Sequence, residues 1–289
     1  NLANRSASPE AAFADTLQLV LAQHHFRARP WSEELIGEMD LATSLRIYQE
    51  RFADFGDFTF IFVGNFELSA IEPLVQSYLG TLPHGGRQES WRDVGIEPPT
   101  GVVERYVYKG LEAKSQTQMV FTGPFDWNYR NFFMIKAMAD ALQIKLREVM
   151  REDLGGTYGV GVSASATHYP KESYSLSISF TCDPQRAEEL AGVVMAQIDS
   201  LQEAGLDTGY IQKVQEMRRR RHEVRLRENG YWLNLLDMAN FHQISPRLAL
   251  EYLDYVEAID AETLQQAMQR YLNRENYVRV VLFPEDYID

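Results

Sequence analysis

The residues with the clearest chemical potential lie in the string LREVMREDLGGTYGV, Leu146 to Val160. A helical pattern ends there at a double glycine, Gly155-Gly156, which permits a left-handed cap and an abrupt turn into a strand. Arg151 near the helix end and Tyr158 at the strand start would place a fixed cation close to a phenol donor, able to hold a peptide carbonyl or stabilise an oxyanion. Spacing alone favours a plainer interpretation, a surface arginine that complements the helix dipole and a half-buried strand tyrosine.

The candidate metal ligands do not form a zinc motif. None of the six histidines stands four residues before another, and the pair His222-Glu223 lacks the second histidine of a His-Glu-x-x-His motif. The single cysteine, Cys182, excludes an internal disulfide and a multi-cysteine metal site. We therefore expect neither a metal site nor a cofactor site built from this chain alone. The histidines are His24, His25, His84, His168, His222 and His242.

Composition excludes two broad classes of function. The chain has 289 residues, of which 45% are hydrophobic, enough to fill a core, and its formal net charge is -13. An acidic protein is a poor ligand for nucleic acid, and we interpret the basic run Arg218–Arg221 as a solvated, ion-paired helix face. No apolar run approaches the roughly 18 residues of a membrane span.

The elements that must position Arg151 and Tyr158 are a long helix over 131–151 and a following hairpin. The hairpin strands alternate apolar residues over 158–164 and 174–180. Apolar runs predict further strands at 58–66, 102–108, 115–122 and 277–283. Helices are predicted at 9–26, 32–53, from a Ser69/Glu72 capping box to Leu79, and at 184–204, 208–228, 230–242, 246–256 and 260–272. This order predicts an α+β sandwich with its helices on one sheet face.

An internal repeat divides the chain. LRIYQERF and FTFIFVGN resemble LQQAMQRY and YVRVVLFP at a constant offset of 219 residues, which separates Leu45 from Leu264 and Phe58 from Tyr277. We expect residues 1–85 to be the C-terminal part of one repeat, 86–100 a linker rich in Gly, Pro and charge, and 101–289 a final, complete domain. The first copy would then lack its front portion, and the chain would begin within a domain.

The string around Arg151 resembles the second-half signature of the M16 (pitrilysin/insulysin) zinc metallopeptidases, Arg-x-x-x-Gly-x-x-Tyr, which Arg151, Gly155 and Tyr158 match. The VGN turn at 63–65, the YLGTLP string at 78–83 and the linker after it also resemble the junction between family domains. The resemblance covers nearly the whole chain and is closest to the long bacterial members, the PqqL-type zinc proteases.

The resemblance implies a duplicated, LuxS/MPP-like α/β sandwich with one truncated and one complete repeat, in which two halves close around a peptide. It implies that Zn²⁺ lies in an N-terminal half, on a His-x-x-Glu-His motif that this chain lacks. By register, Arg151 and Tyr158 would contact the substrate, with the tyrosine on the scissile carbonyl. The implied partners are the N-terminal catalytic half and a peptide or unfolded protein, and the implied location is the periplasm.

Three functions stay open at this stage. The first is half of an active zinc peptidase, a role that retention of both Arg151 and Tyr158 favours. The second is a catalytically inactive M16-like scaffold or assembly subunit, which has no need for that pair. The third is an unrelated binding domain, for which the truncated repeat would be an accident.

Overall fold

The computed structural model describes residues 2–157 and 159–287. Its strands are β1 (Val102–Tyr108), β2 (Ser115–Pro124), β3 (Gly159–Thr167), β4 (Ser173–Cys182) and β5 (Tyr277–Phe283). Its α-helices are α1 (Pro9–Leu21), α2 (Glu33–Gly37), α3 (Leu41–Arg51), α4 (Leu68–Tyr78), α5 (Tyr129–Arg147), α6 (Ala187–Ala204), α7 (Thr208–Arg225), α8 (Asn229–His242), α9 (Leu248–Glu257) and α10 (Ala261–Tyr271). None of these helices is both long enough and apolar enough to cross a bilayer.

The chain packs into two compact units that do not follow chain order. The first unit comprises Asn1–Trp31, Asp93–Arg219 and Leu253–Asp289, and the second comprises Ser32–Arg92 and Arg220–Tyr252. Packing units and sequence repeats are different divisions of a chain. The predicted boundaries at residues 85 and 101 therefore stay a prediction.

The first unit is built on a five-stranded sheet with the order β1-β5-β2-β4-β3. β5 runs parallel to β1 and antiparallel to β2, while β4 is antiparallel to both β2 and β3. The hairpin predicted from alternation is β3–β4, and the strands predicted at 102–108 and 277–283 are β1 and β5. The mixed α/β class is confirmed.

Helices cover both faces of this sheet, so the prediction that they lie on one face is wrong. On one face, Phe13 and Val20 of α1 form a buried cluster with β5 residues Val278, Val280 and Leu282. The alternate β5 residue Arg279 points to the opposite face, where it meets Glu188 at the start of α6. The sequence pattern indicates that α1 is amphipathic. It does not indicate which face of the sheet the helix covers, because that depends on the tertiary fold.

Helix α5 leads to the predicted site. Asn128 caps its start, accepting the Asn131 N–H at 2.9 Å, and its buried side chains include Phe133, Ala137 and Leu142. The sequence predicts one continuous helix to residue 151. Instead the α-helix ends at Arg147 and continues as a π-helical turn, Glu148–Asp153.

The strand predicted at 58–66 is wrong for the described chain. Residues 58–63 belong to no helix or strand. A strand needs a neighbour to receive its backbone hydrogen bonds, and the described residues supply none here. Its aromatic side chains instead contact nearby rings, with centroids 4.8 Å apart for Phe58 and Phe55 and 6.3 Å apart for Phe58 and Phe60.

The helices beside this segment are equally open to solvent. No side chain of residues 32–92, all of them described, is buried. The predicted Ser69/Glu72 capping box does not form, because α4 begins at Leu68 with Glu67 as N-cap and Ser69 already inside the first turn. Within the second unit, Phe60, Ile61 and Phe62 line an apolar groove with Leu236 and Ile244, about 570 Å³ in volume.

Candidate functional site

The turn that carries Arg151 is defined by backbone bonds. In the π-helical turn, the Leu154 N–H donates to Val149 O at 3.1 Å and the Gly156 N–H donates to Met150 O at 3.0 Å. Gly155 has a φ of 55°, as the predicted left-handed cap requires. Single π-turns in helices occur often at functional sites, and this one leaves Arg151 exposed at its end.

Gly156, which follows the left-handed cap, has no space for a side chain. A Cβ at Gly156 would lie 2.9 Å from the Leu190 side chain and 2.9 Å from the Arg186 guanidinium, so the chain turns against α6 at van der Waals distance. Arg186 is itself fixed by Glu189, with N–O distances of 2.9 and 2.8 Å. The turn between α5 and β3 is therefore anchored on α6.

Two polar side chains that the sequence analysis missed hold the start of β3. Thr157 is buried, and its hydroxyl lies 2.7 Å from Thr181 O and 2.8 Å from Gly159 O, while accepting the Gly159 N–H at 3.1 Å. On α5, the Gln143 carboxamide donates to Val160 O at 2.7 Å and accepts the Val162 N–H at 2.6 Å. The Thr157 contact has a local signal, because a Thr hydroxyl often accepts the backbone N–H of the residue two positions later. The second has no local signal.

The base of the π-helical turn is tied to α7. The Tyr210 hydroxyl donates to the Glu148 carboxylate at 2.6 Å, and the Lys145 ammonium lies 3.3 Å from the same hydroxyl oxygen. Tyr210 is buried, so these bonds lie in a partly desolvated setting where hydrogen bonds to charged groups are strong. Glu148 is the first residue of the turn that ends beyond Arg151.

The predicted pair is only half described. Arg151 is exposed on the π-helical turn, whereas Tyr158 lies outside the described residues. The description resumes at Gly159, where β3 begins. The proximity of Arg151 and Tyr158 therefore stays a prediction.

The described side chains do not fit a metal ion or a cysteine nucleophile. Among residues 2–157 and 159–287, no three His, Cys, Asp or Glu side chains lie together in a way that could hold a metal. Burial raises the pKa of the Cys182 thiol to about 11, so it is protonated and unreactive at neutral pH. The described residues therefore offer no set of ligands for a catalytic zinc ion.

The basic run is not uniformly a surface feature. Arg218 is buried, its guanidinium 2.7 Å from the Asp140 carboxylate and 4.7 Å from the centroid of the Phe133 ring. Arg220 and Arg221 are exposed, as expected for a solvated face. The sequence interpretation is wrong for Arg218 because its partner lies on α5, far away in sequence.

Comparison with known proteins identifies relatives of the chain. The family model described as the Peptidase M16 inactive domain matches residues 15–218. A Haemophilus influenzae protein named "Probable zinc protease PqqL" is 27% identical over 167 residues, which are 57% of this chain and 18% of that protein. An Arabidopsis thaliana protein named "Zinc protease PQQL-like" is 23% identical over 306 residues, covering 97% of this chain and 32% of that protein.

Solved structures show a similar fold. The crystal structure of the periplasmic protease PqqL from Escherichia coli matches with a TM-score of 0.82 at 22% identity, over 98% of this chain and 31% of that one. At this identity the match speaks for the fold alone. This chain thus spans between about a fifth and a third of the length of the relatives it matches.

Proposed function

This chain belongs to the peptidase M16 family, and from that premise we propose that it is the C-terminal, zinc-free half of a zinc-dependent metalloendopeptidase. The matched family model describes an inactive domain, and the similar proteins are named zinc proteases. The chain covers 32% of the Arabidopsis relative, which leaves ample length there for a catalytic half. In this proposal Zn²⁺ and the water it activates belong to that N-terminal half.

The observation that carries the proposal is the turn between α5 and β3. Arg151 is exposed on a π-helical turn, and Gly155 redirects the chain at a φ of 55°. Both residues fall in the Arg-x-x-x-Gly-x-x-Tyr register that the family uses for substrate contacts, which assigns the fourth position to Tyr158. A scaffold without a catalytic role has no need for the pair of Arg151 and Tyr158.

The proposed chemistry of this half is stabilisation without covalent participation. The Arg151 guanidinium would orient a peptide carbonyl through charge-assisted hydrogen bonds. The Tyr158 hydroxyl would donate to the oxygen of the scissile carbonyl, and this bond would strengthen as negative charge develops on that oxygen. The partners are accordingly the N-terminal half and a peptide or unfolded protein. The similar protein from Escherichia coli is a periplasmic protease, which supports a periplasmic location for this one.

We expect Tyr158→Phe in the full-length protein to lower kcat by about 10²-fold while KM changes less than about twofold, because loss of a donor aimed at the oxyanion affects the transition state most. Fluorescein-labelled casein serves as the probe substrate. Tyr108→Phe, at an exposed tyrosine ending β1, is the matched control and should leave both constants unchanged.

Two results would count against the proposal. An unchanged kcat in Tyr158→Phe would remove the assigned role of this residue. A full-length protein that binds zinc but cleaves neither casein nor unfolded proteins would favour the second candidate, an inactive M16-like scaffold.

We further propose that residues 1–85 complete a repeat whose front portion comes from elsewhere in the parent protein. The exposed apolar residues of 32–92 support this, since a solvated apolar surface of this extent indicates an interface. The offset of 219 residues equates the unpaired Phe58–Val63 segment with β5, which has a strand on each side in the final domain.

A further inference from the structure

The Thr157 hydroxyl contacts the backbone at the start of β3. It accepts the N–H of Gly159 at 3.1 Å. Its distances of 2.7 Å to Thr181 O and 2.8 Å to Gly159 O allow it to donate to one of the two carbonyls. Gly159 and Thr181 are partners in the β3–β4 ladder. The hydroxyl therefore contacts the backbone of both residues in the first pair of this ladder.

The Gln143 carboxamide holds the same strand from its other side. β3 is the last strand in the sheet order, so its outer edge has no strand neighbour among the described elements. Gln143 donates to Val160 O and accepts from Val162 N–H, the two bonds that a neighbouring peptide group would make. Because Gln143 lies on α5, the helix that leads to Arg151, it fixes the helix and the strand to each other.

We propose that Thr157 and Gln143 are positioning residues, which together form a brace that holds the backbone on both sides of position 158. The inference rests on the proposed function, in which Tyr158 contacts the scissile carbonyl. A displacement of about 1 Å in a catalytic group costs up to about 10²-fold in rate, so hydrogen bonds that fix the flanking backbone have catalytic consequences. The brace acts through Tyr158 and touches no substrate.

A double-mutant cycle in the full-length protein tests this inference. Thr157→Val keeps the shape of the side chain and removes the hydroxyl, whereas Thr157→Ser keeps the hydroxyl. With fluorescein-labelled casein, we expect Thr157→Val to lower kcat by about 10-fold with KM within about twofold, and Thr157→Ser to restore kcat to within about twofold of the unmodified protein. Thr167→Val, at the exposed far end of β3, is the control and should change neither constant.

The decisive comparison uses the Tyr158→Phe background. If Thr157 acts through the Tyr158 hydroxyl, Thr157→Val should change kcat less than about twofold once that hydroxyl is absent. The same 10-fold loss in both backgrounds, or no loss in either, would overturn the brace. An unchanged kcat in Tyr158→Phe alone would instead overturn the proposed function, so the two failures are distinguishable.

A second variant covers a folding defect in Thr157→Val. Gln143→Met retains the length of the side chain and removes both hydrogen bonds to β3. We expect the same pattern, a loss in kcat that largely disappears in the Tyr158→Phe background. A Gln143→Met protein with the circular dichroism spectrum and kcat of the unmodified protein would contradict the part assigned to Gln143.

Discussion

Arg218 is about 6% exposed, and its guanidinium lies 2.7 Å from the Asp140 carboxylate and over the ring of Phe133. Removing a guanidinium from water is costly, and the nearby carboxylate and aromatic face offset that cost. The pair links α7 to α5, the helix that carries Gln143 and leads to Arg151. Its energetic asymmetry follows from burial, since losing the acid leaves a buried cation whereas losing the cation leaves a carboxylate nearer to solvent.

We expect Asp140→Asn to lower the free energy of unfolding by about 3 kcal/mol, because it removes the charge that compensates the buried Arg218. Arg218→Met should cost less, about 1 kcal/mol, since an unbranched apolar side chain then replaces the buried cation beside Phe133 and leaves no uncompensated buried charge. Urea unfolding of the 289-residue chain measures both. Equal costs for the two variants would contradict this account, and Arg219→Met, at a half-buried neighbour, is the control.

At the scale of elements, the hairpin β3–β4 could be predicted because its side chains alternate between a buried and an exposed face. Helix α5 could be predicted from apolar residues at three-to-four spacing, and the left-handed turn from the double glycine at Gly155. The π-helical turn could not, since the residues 148–153 continue an acceptable helical pattern. Nor could the contacts of Thr157 and Gln143, because single polar side chains have no periodicity and their partners are fixed by the tertiary fold.

The segment 58–63 shows a second limit of predicting structure from apolar sequence patterns. Its apolar run suits a strand, and the corresponding run in β5 is one, with Val281 fully buried. Phe62, which the offset of 219 residues aligns with Val281, is 49% exposed. A sequence pattern states that a segment can be buried in a sheet. Whether neighbouring strands exist depends on residues elsewhere.

We expect Phe62→Ser to cost less than about 1 kcal/mol in the 289-residue chain, because a half-exposed side chain loses little on truncation. The matched variant Val281→Ser should cost about 3 kcal/mol, from a lost methyl group and an added buried hydroxyl. In the full-length protein the two costs should become similar, if strands from the preceding part of the repeat flank the segment. Chemical unfolding of the four variants and their two unmodified parents gives this comparison, and a Phe62→Ser cost that stays small in the full-length protein would argue against the proposed repeat.

At the scale of the whole molecule, the two parts of the chain differ in how completely they are packed. The sheet unit buries side chains from β2, α5 and β5, among them Phe121, Leu142 and Val280. Residues 32–92 have no buried side chain. The proposed longer parent protein would explain this contrast, because its missing part would cover the exposed residues.

The proposal that zinc lies in the N-terminal half predicts how much zinc the chain and the full-length protein each bind. The sequence has no His-x-x-Glu-His motif, and the described residues contain no group of three metal-ligating side chains. After dialysis against a trace of free Zn²⁺, we expect the purified chain to retain less than about a tenth of an equivalent, and the full-length protein about one equivalent, since a zinc site needs three or four converging ligands. Elemental analysis measures both. One equivalent on the 289-residue chain would mean that its histidines form a site and that the metal does not belong to the other half.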